Sequence, residues 1–309
     1  MNCLSLFDGM RNGRIAFYRA GINIKNYFSS EIEKNAILVA DKNYPQDIEN
    51  KLGDVENLLK IEEDFTVKVF DKLKNLPKID ILIGGSPCQG LSKAKTDREN
   101  LKDWRSKLFF NYIEILKWLR ENNNPNIKFL LENVKPNKET LVIMNEIIGV
   151  APIEINSNLL SAQNRSRMYW TNIEGVEKPI DKGILVKDIL EDEPLELFSD
   201  DRIENTKIKT KNYYKWDISG KGYYSQQDRA YFKDGKMCCV PKSQVKSKVN
   251  VVEEDGVYRR LSPVEVERLQ TVPDNYTLCD GVSNTKRYEM LGNGWTVDII
   301  AHILKNMEF

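Results

Sequence analysis

The chain has 309 residues and no net charge at pH 7, with 41% hydrophobic and 30% charged residues, enough to bury one large core and a smaller second one. No apolar run approaches the roughly 18–20 residues of a membrane span, and the opening "MNCLSLFDGM" carries neither the basic stretch nor the cleavage site of an export signal. Five cysteines without a CxxC pair and a single histidine, His302, give a zinc site little to be built from, so no metal is expected and a reduced, intracellular protein is the simpler reading.

In chain order, residues 1–174 alternate short apolar segments with amphipathic ones. Strands are predicted at Cys3–Phe7, Tyr27–Ser30, Ile79–Ile83, Phe129–Leu131, Ile153–Ile155 and Met168–Thr171, with a further strand end at Gly53. Helices fit between them at Ile15–Ala20, Glu33–Asn43 and Lys107–Arg120; in the last, Leu108, Tyr112, Ile115, Leu116 and Leu119 share one face. This alternation predicts an α/β fold with a doubly wound, mostly parallel sheet and ligands at the C-terminal ends of its strands.

Beyond Asn172 the rhythm changes. Residues 175–257 are polar and lysine-rich, with turn signals at Ser219-Gly220, Lys221-Gly222 and Asp234-Gly235. Residues 201–250 hold twelve Lys or Arg against five acids, a basic excess suited to a polyanion and equally to a solvated surface. A second, smaller, irregular β-containing domain is expected here. Helices return at "LSPVEVERLQTV", with Ser262 as N-cap, Pro263 at the first helical position and Glu265 as capping-box partner. In the closing "WTVDIIAHILKNM", His302 sits among apolar residues and reads as a packed or partly exposed helical histidine rather than a base. The expected division is a catalytic domain of 1–174 plus 285–309 and a second domain of 175–284.

Six stretches, at or near strand ends, carry chemistry. After the first strand, "FDGMRNG" supplies a turn in which Gly9 lets the backbone approach a ligand, with a helix N-terminus near Gly13. Glu31 ends the second strand, where a nucleotide fold places an acid for ribose hydroxyls. Asp54 follows the third, in "GDV". The fourth delivers Ser86-Pro87-Cys88-Gln89 to the same edge. A thiol one residue beyond the strand's glycines suits a nucleophile better than a core residue, because neighbouring dipoles or cations can hold it as thiolate. Next, "LLENV" brings Glu132 and Asn133, and the apolar neighbours Leu130, Leu131 and Val134 predict a carboxyl that keeps its proton near neutral pH. In "QNRSR", Arg165 and Arg167 are two apart and expected to point the same way from an extended segment.

Taken in order, "FDG", Glu31, "GDV", "GGSPCQGLS", "ENV", "QNRSR", "RRLSPVEVERLQTVPDNY" and "LGNGWTV" resemble the cytosine-C5 DNA methyltransferase family over nearly everything outside 175–225. The "FDGxxxG" opening and "SKLFFNYIEIL" are closest in detail to the vertebrate de novo branch, in what would be a bacterial or phage member. "QTVPDNY" and "LGNGWTV" depart from that family's usual Gly-Phe-Pro and Gly-Asn-Ser forms near Gly294 and Trp295.

The resemblance implies S-adenosylmethionine as methyl donor, with S-adenosylhomocysteine as product. It implies catalytic roles for Cys88, Glu132, Arg165 and Arg167. It places Phe7, Asp8, Gly9, Glu31, Asp54, Val55 and Pro87 at the cofactor, with Asn293, Trp295 and Thr296 closing the pocket. Cys88 would add to C6 of a cytosine flipped out of duplex DNA while Glu132 serves N3, and the basic 175–257 stretch would be the target recognition segment. Double-stranded DNA is the expected partner of a cytoplasmic, monomeric protein that acts at no membrane, with a partner restriction nuclease possible. Two other readings stay open: the RNA-directed branch that methylates transfer RNA, and a non-catalytic relative that only binds partners. A thiol oxidoreductase is weaker, because Cys88 lacks a resolving cysteine nearby.

Overall fold

The structure is a computed structural model that describes residues 1–64, 66–87, 107–193, 196–198, 208–215, 229–241, 251–254 and 257–307. The described chain divides into two compact units, one of 1–155, 166–178 and 300–309 and one of 156–165 and 179–299. These units are cut differently from the expected domains: residues 156–165 and 285–299 fall in the second unit and residues 175–178 in the first.

Strands follow in chain order as β1 (Asn2–Leu6), β2 (Asn26–Ser30), β3 (Lys51–Gly53), a short antiparallel pair β4 (Leu59–Ile61) and β5 (Val67–Val69), β6 (Ile81–Gly85), β7 (Lys128–Asn133), β8 (Ile153–Asn156), β9 (Gln163–Asn164) and β10 (Ser166–Thr171). The first unit is built on a seven-stranded sheet ordered β3-β2-β1-β6-β7-β10-β8. Pairings β1–β2, β1–β6, β2–β3 and β6–β7 are parallel, whereas β10 runs antiparallel to β7. The chain winds outward from β1 to β3 and then returns to continue on the other side through β6. That reversal between β1 and β6 is the switch point at which doubly wound sheets bind ligands. The antiparallel β10 is the departure from a purely parallel sheet.

The central strands are apolar because both faces are covered. Leu4, Leu6, Leu82, Phe129 and Leu131 are fully buried, in one cluster with Tyr112, Ile115 and Leu116 of a helix. The helices are α1 (Asn12–Ala20), α2 (Lys34–Asn43), α3 (Asp71–Lys74), α4 (Lys107–Asn122) and α5 (Lys138–Ile148), followed by α6 (Pro263–Leu269), α7 (Asn284–Asn293) and α8 (Val297–Leu304). Gly84 brings β6 against β1 and α4: a Cβ there would lie 2.9 Å from Leu6 O and 3.0 Å from the Tyr112 ring. His302 lies in the last turn of α8, its Nε2 2.8 Å from Glu177 O. Among the described residues no helix is long and apolar enough to cross a membrane.

The second unit holds a six-stranded sheet, in the order β11-β17-β16-β14-β13-β12. Its strands are β11 (Glu196–Phe198), β12 (Ile208–Lys209), β13 (Tyr213–Lys215), β14 (Arg229–Phe232), β16 (Val251–Glu254) and β17 (Val257–Arg260); β15 (Met237–Cys238) pairs instead with β9. The expected capping box is present. Ser262 Oγ accepts from Glu265 N at 3.1 Å, and Glu265 Oε2 accepts from Ser262 N at 2.8 Å. Glu265 is fully buried and also bonds the Arg259 guanidinium, which offsets the cost of burying its charge.

Candidate active site

In the first unit, the exits of β1, β2 and β3 converge. The backbone leaves β1 through Phe7 and Gly9, both left-handed at φ 57° and 59°. At Gly9 that conformation is free of strain, and a Cβ would meet nothing within 4 Å, so the backbone is open to a ligand. Gly9 N donates to Glu31 Oε2 at 2.7 Å, while Glu31 Oε1 accepts from the amides of Ile32 and Glu33 at 2.7 and 2.8 Å. Three amides therefore fix this carboxylate at the end of β2. One lone pair, on Oε2, remains for a hydroxyl donor. A cavity of about 250 Å³ opens here, lined by Asp8, Gly9, Arg11, Glu31, Lys51 and Gly53 among others.

Sequence reasoning placed Asp8, Asp54 and Val55 at a ligand, and the structure gives each a local task. Asp8 Oδ1 accepts from Ser5 Oγ and Tyr27 Oη, each at 2.6 Å, and its carboxylate lies 3.6 Å from Arg11 Nε. Burial pushes the Asp8 pKa up to about 6, against the lowering pull of the two hydroxyls and Arg11. Asp54 caps the turn Val55–Asn57 by accepting from Glu56 N at 3.0 Å. Val55 packs in the hydrophobic core. Sequence reasoning missed two residues of this corner. Arg11, almost completely buried, spans from the turn to the Tyr44 carbonyl at 3.1 Å. Ile32, directly after Glu31, is 68% exposed. An isoleucine so open at a strand exit was the available signal.

The exits of β6 and β7 form the other half of the first unit's site. Asn133 Nδ2 donates to Ser86 Oγ at 2.9 Å and to Ser86 O at 3.3 Å, and its Oδ1 accepts from Val134 N at 2.8 Å. Asn133 thereby anchors the residue two positions before Cys88. Pro87 is exposed. Cys88 itself lies outside the described residues, as does everything from 88 to 106. Glu132 pairs with Gly85 across the sheet, and its Oε1 lies 3.0 Å from Arg167 Nε. The apolar flanks expected around this carboxyl are thus joined by a cation.

Arg165 belongs to the second unit. Its Nη2 donates to Gly294 O at 2.9 Å, and its Nη1 to Gly292 O at 3.3 Å and Cys239 Sγ at 3.1 Å. The expectation that Arg165 and Arg167 share one direction is replaced by separate partners. The physical reason is local: β9 ends at Asn164 and β10 begins at Ser166, so no continuous strand carries both arginines. In the Asn293–Thr296 segment, Asn293 is exposed, Trp295 is buried and Thr296 Oγ1 donates to Gln270 Oε1 at 3.0 Å.

S-adenosylmethionine, implied by the resemblance, can be tested against this geometry. An open left-handed glycine and a carboxylate fixed by three amides with one lone pair to spare, both lining the cavity, and an exposed isoleucine next in sequence to that carboxylate suit a nucleoside's ribose and purine ring. The residues fit the group.

Comparisons with known proteins agree with the fold and the chemistry. The chain is 28% identical over 335 residues to the type II methyltransferase M1.ScrFI of Lactococcus lactis subsp. cremoris, covering 98% of this chain and 77% of that protein. It is 28% identical over 333 residues to the type II methyltransferase M.NlaX of Neisseria lactamica, covering 99% and 95%. Among solved structures, a DNA modification methyltransferase encoded within an Escherichia coli prophage superposes with a TM-score of 0.65 at 19% identity, over 99% of this chain and 98% of that one. The sequence profile described as "C-5 cytosine-specific DNA methylase" matches residues 1–308, and the chain belongs to that family.

Proposed function

We propose that the chain methylates C5 of a cytosine flipped out of duplex DNA, with Cys88 as nucleophile and Glu132, held by Arg167, at the base. C5 of cytosine is a weak nucleophile. Addition of the Cys88 thiolate to C6 forms a carbon–sulfur bond and shifts the ring's π-electrons to C5, and a proton delivered by the Glu132 carboxyl to N3 neutralises the negative charge that moves onto it. S-adenosylmethionine, when bound, supplies the methyl group. C5 then gives up its proton to solvent, the freed electron pair re-forms the C5–C6 double bond, the thiolate leaves C6, and the proton on N3 returns to Glu132. Asn133 holds Ser86, two residues before Cys88, through its side-chain amide. Arg167 orients the Glu132 carboxyl. The backbone of Phe7, Asp8 and Gly9, the Glu31 carboxylate, and the region of Asp54, Val55 and Pro87 are assigned to the cofactor, with Ile32 added as an apolar rest for its purine. Asn293, Trp295 and Thr296 are assigned to the same ligand from the C-terminal segment. The observation that carries this reading is the pair of anchored strand exits, Asn133 on Ser86 and Arg167 on Glu132, on the β6–β7 side of the sheet's switch point.

Residues 175–284 are assigned to target recognition. Support comes from the cations and rings of β12 to β14: the Arg229 guanidinium lies 4.6 Å from the Tyr213 ring centroid, and Lys209 Nζ lies 5.7 Å from that of Phe232. Exposed Lys209 and Lys211 can meet phosphates while aromatic surface lies alongside. The names of M1.ScrFI and M.NlaX, both type II methyltransferases, support work beside a restriction nuclease; a cytoplasmic, monomeric protein is part of the same reading. Kinship to the vertebrate de novo branch rests on "FDGxxxG" and "SKLFFNYIEIL" alone. Bisulfite sequencing of DNA from cells expressing the chain or its Cys88→Ser variant tests the function. Protected cytosines in a fixed sequence context, present only with the cysteine, are expected. Methylation confined to transfer RNA would overturn it.

A further inference from the structure

Gln270, fully buried in the second unit, uses every hydrogen-bonding position of its side chain. Its Nε2 donates to Leu291 O at 2.6 Å and, more weakly, to Gly294 O at 3.4 Å. Its Oε1 accepts from Gln163 Nε2 at 2.9 Å and from Thr296 Oγ1 at 3.0 Å. The backbone closes the ring, since Gln270 O accepts from Val297 N at 3.0 Å. The amide orientation is dictated by these neighbours, because a flip would set its oxygen against two carbonyls and its NH₂ against another NH₂.

Two features make this more than a filled core. Gly294 O is shared: it accepts from Gln270 and also from Arg165 Nη2 at 2.9 Å. Gln163, the other end of the amide pair, stands two residues before Arg165 and accepts from Val240 N at 3.3 Å through its Oε1. One buried side chain therefore ties the "QNRSR" segment to the 291–297 turn, and its partner Gln163 adds Val240. A buried polar network stabilises a single arrangement only when every member is satisfied, as here.

We infer that Gln270 is a positioning residue that sets Arg165 and the Asn293–Thr296 turn in one register, so that the arginine given a catalytic role by the resemblance and the segment assigned to the cofactor move as one piece. This inference rests on the functional reading above. Methyl transfer needs donor and acceptor carbons in near-contact, and small misplacements are costly there. The ring of bonds through Gln270 removes the freedom from which such misplacement would come.

The test uses two variants of the full chain at a temperature where circular dichroism shows each to be folded. Gln270→Met keeps the volume and deletes all four side-chain bonds. Gln270→Glu keeps both acceptor roles of the oxygen, but reproduces the donor to Leu291 O only when protonated. Calorimetry with S-adenosylhomocysteine should show Gln270→Met binding on the order of tenfold more weakly, with kcat on duplex DNA reduced by at least as much. Gln270→Glu should approach wild-type kcat at low pH and lose it as pH rises, read as a ratio to wild type so that other titrations cancel. If folded Gln270→Met keeps wild-type affinity and kcat, the inference fails and the functional reading stands. If the wild-type chain does not bind S-adenosylhomocysteine, the cofactor reading fails and takes the inference with it.

Discussion

Arg167 Nε lies 3.0 Å from Glu132 Oε1, and both side chains are largely withdrawn from solvent. The pair joins neighbouring antiparallel strands, with Tyr169 rather than Arg167 directly opposite Glu132. Glu132→Gln should lower the chemical rate strongly with little change in DNA affinity, because the amide can still hydrogen-bond the base but delivers no proton to N3. Single-turnover rates and DNA binding on the same preparation check this, and a loss confined to affinity would make Glu132 a positioning residue. Arg167→Ala leaves the carboxylate without its cation and should cost roughly 3 kcal/mol in urea unfolding.

Asp8 predicts a pH dependence of stability. Its pKa is raised from 3.8 to about 6 by burial. Below both values the carboxyl is protonated in folded and unfolded chains alike and contributes nothing. Above about 6 it is ionised in both, and only the folded state bears the cost of burial. Stability therefore falls as pH rises through this window, on the order of 3 kcal/mol in all. Asp8→Asn keeps an oxygen for Ser5 and Tyr27 and should flatten the slope. Urea unfolding of both proteins between pH 4 and 7 measures it; a wild-type-minus-variant difference that stays constant would contradict the assignment.

Much of the first unit was legible because its strands are continuous apolar runs ending in Gly, Asp or Ser, and because α4 repeats its apolar face every three or four residues. The β4–β5 pair was not, since three-residue strands with a lysine at each centre carry too little pattern. Helix α1 starts at Asn12, three residues before the predicted Ile15, directly after a left-handed Arg11 and with no side-chain cap to mark its start in the sequence. At the site, strand exits could be read, but the direction of a side chain at them could not. Asp8 turns inward because Ser5 and Tyr27 offer it two hydroxyls, and Gln163 meets Gln270 across 107 residues of sequence. Such pairings depend on tertiary structure, which no local spacing encodes.

Asn133 gives a prediction for the loop that carries Cys88. Asn133→Ala removes the donor to the buried Ser86 hydroxyl and should cost about 1–3 kcal/mol of stability. Turnover should fall while S-adenosylhomocysteine affinity holds, since Ser86 precedes the nucleophile and not the Glu31 corner. Calorimetry beside a steady-state assay separates the two, and equal losses in both would contradict the division of the site.

Lys209, Lys211 and Lys215 test the recognition surface. Replacing all three with alanine should weaken binding to every DNA sequence alike. Each lost phosphate contact should flatten the plot of log affinity against log salt by about 0.9, with sequence preference retained. An unchanged slope in a folded triple variant would remove this edge of the sheet from the DNA interface.

The most direct measurement of the central claim is a covalent trap. Duplex DNA of mixed sequence containing 5-fluorocytosine is incubated with the protein and S-adenosylmethionine, then denatured and resolved by electrophoresis. Fluorine cannot leave C5 as a cation, so elimination is blocked once Cys88 has added to C6 and the methyl has been transferred. The account predicts a denaturation-resistant protein–DNA adduct whose crosslinked peptide contains Cys88, and none with Cys88→Ser. Methylation of ordinary cytosine DNA without any such adduct, or an adduct that survives in Cys88→Ser, would contradict it.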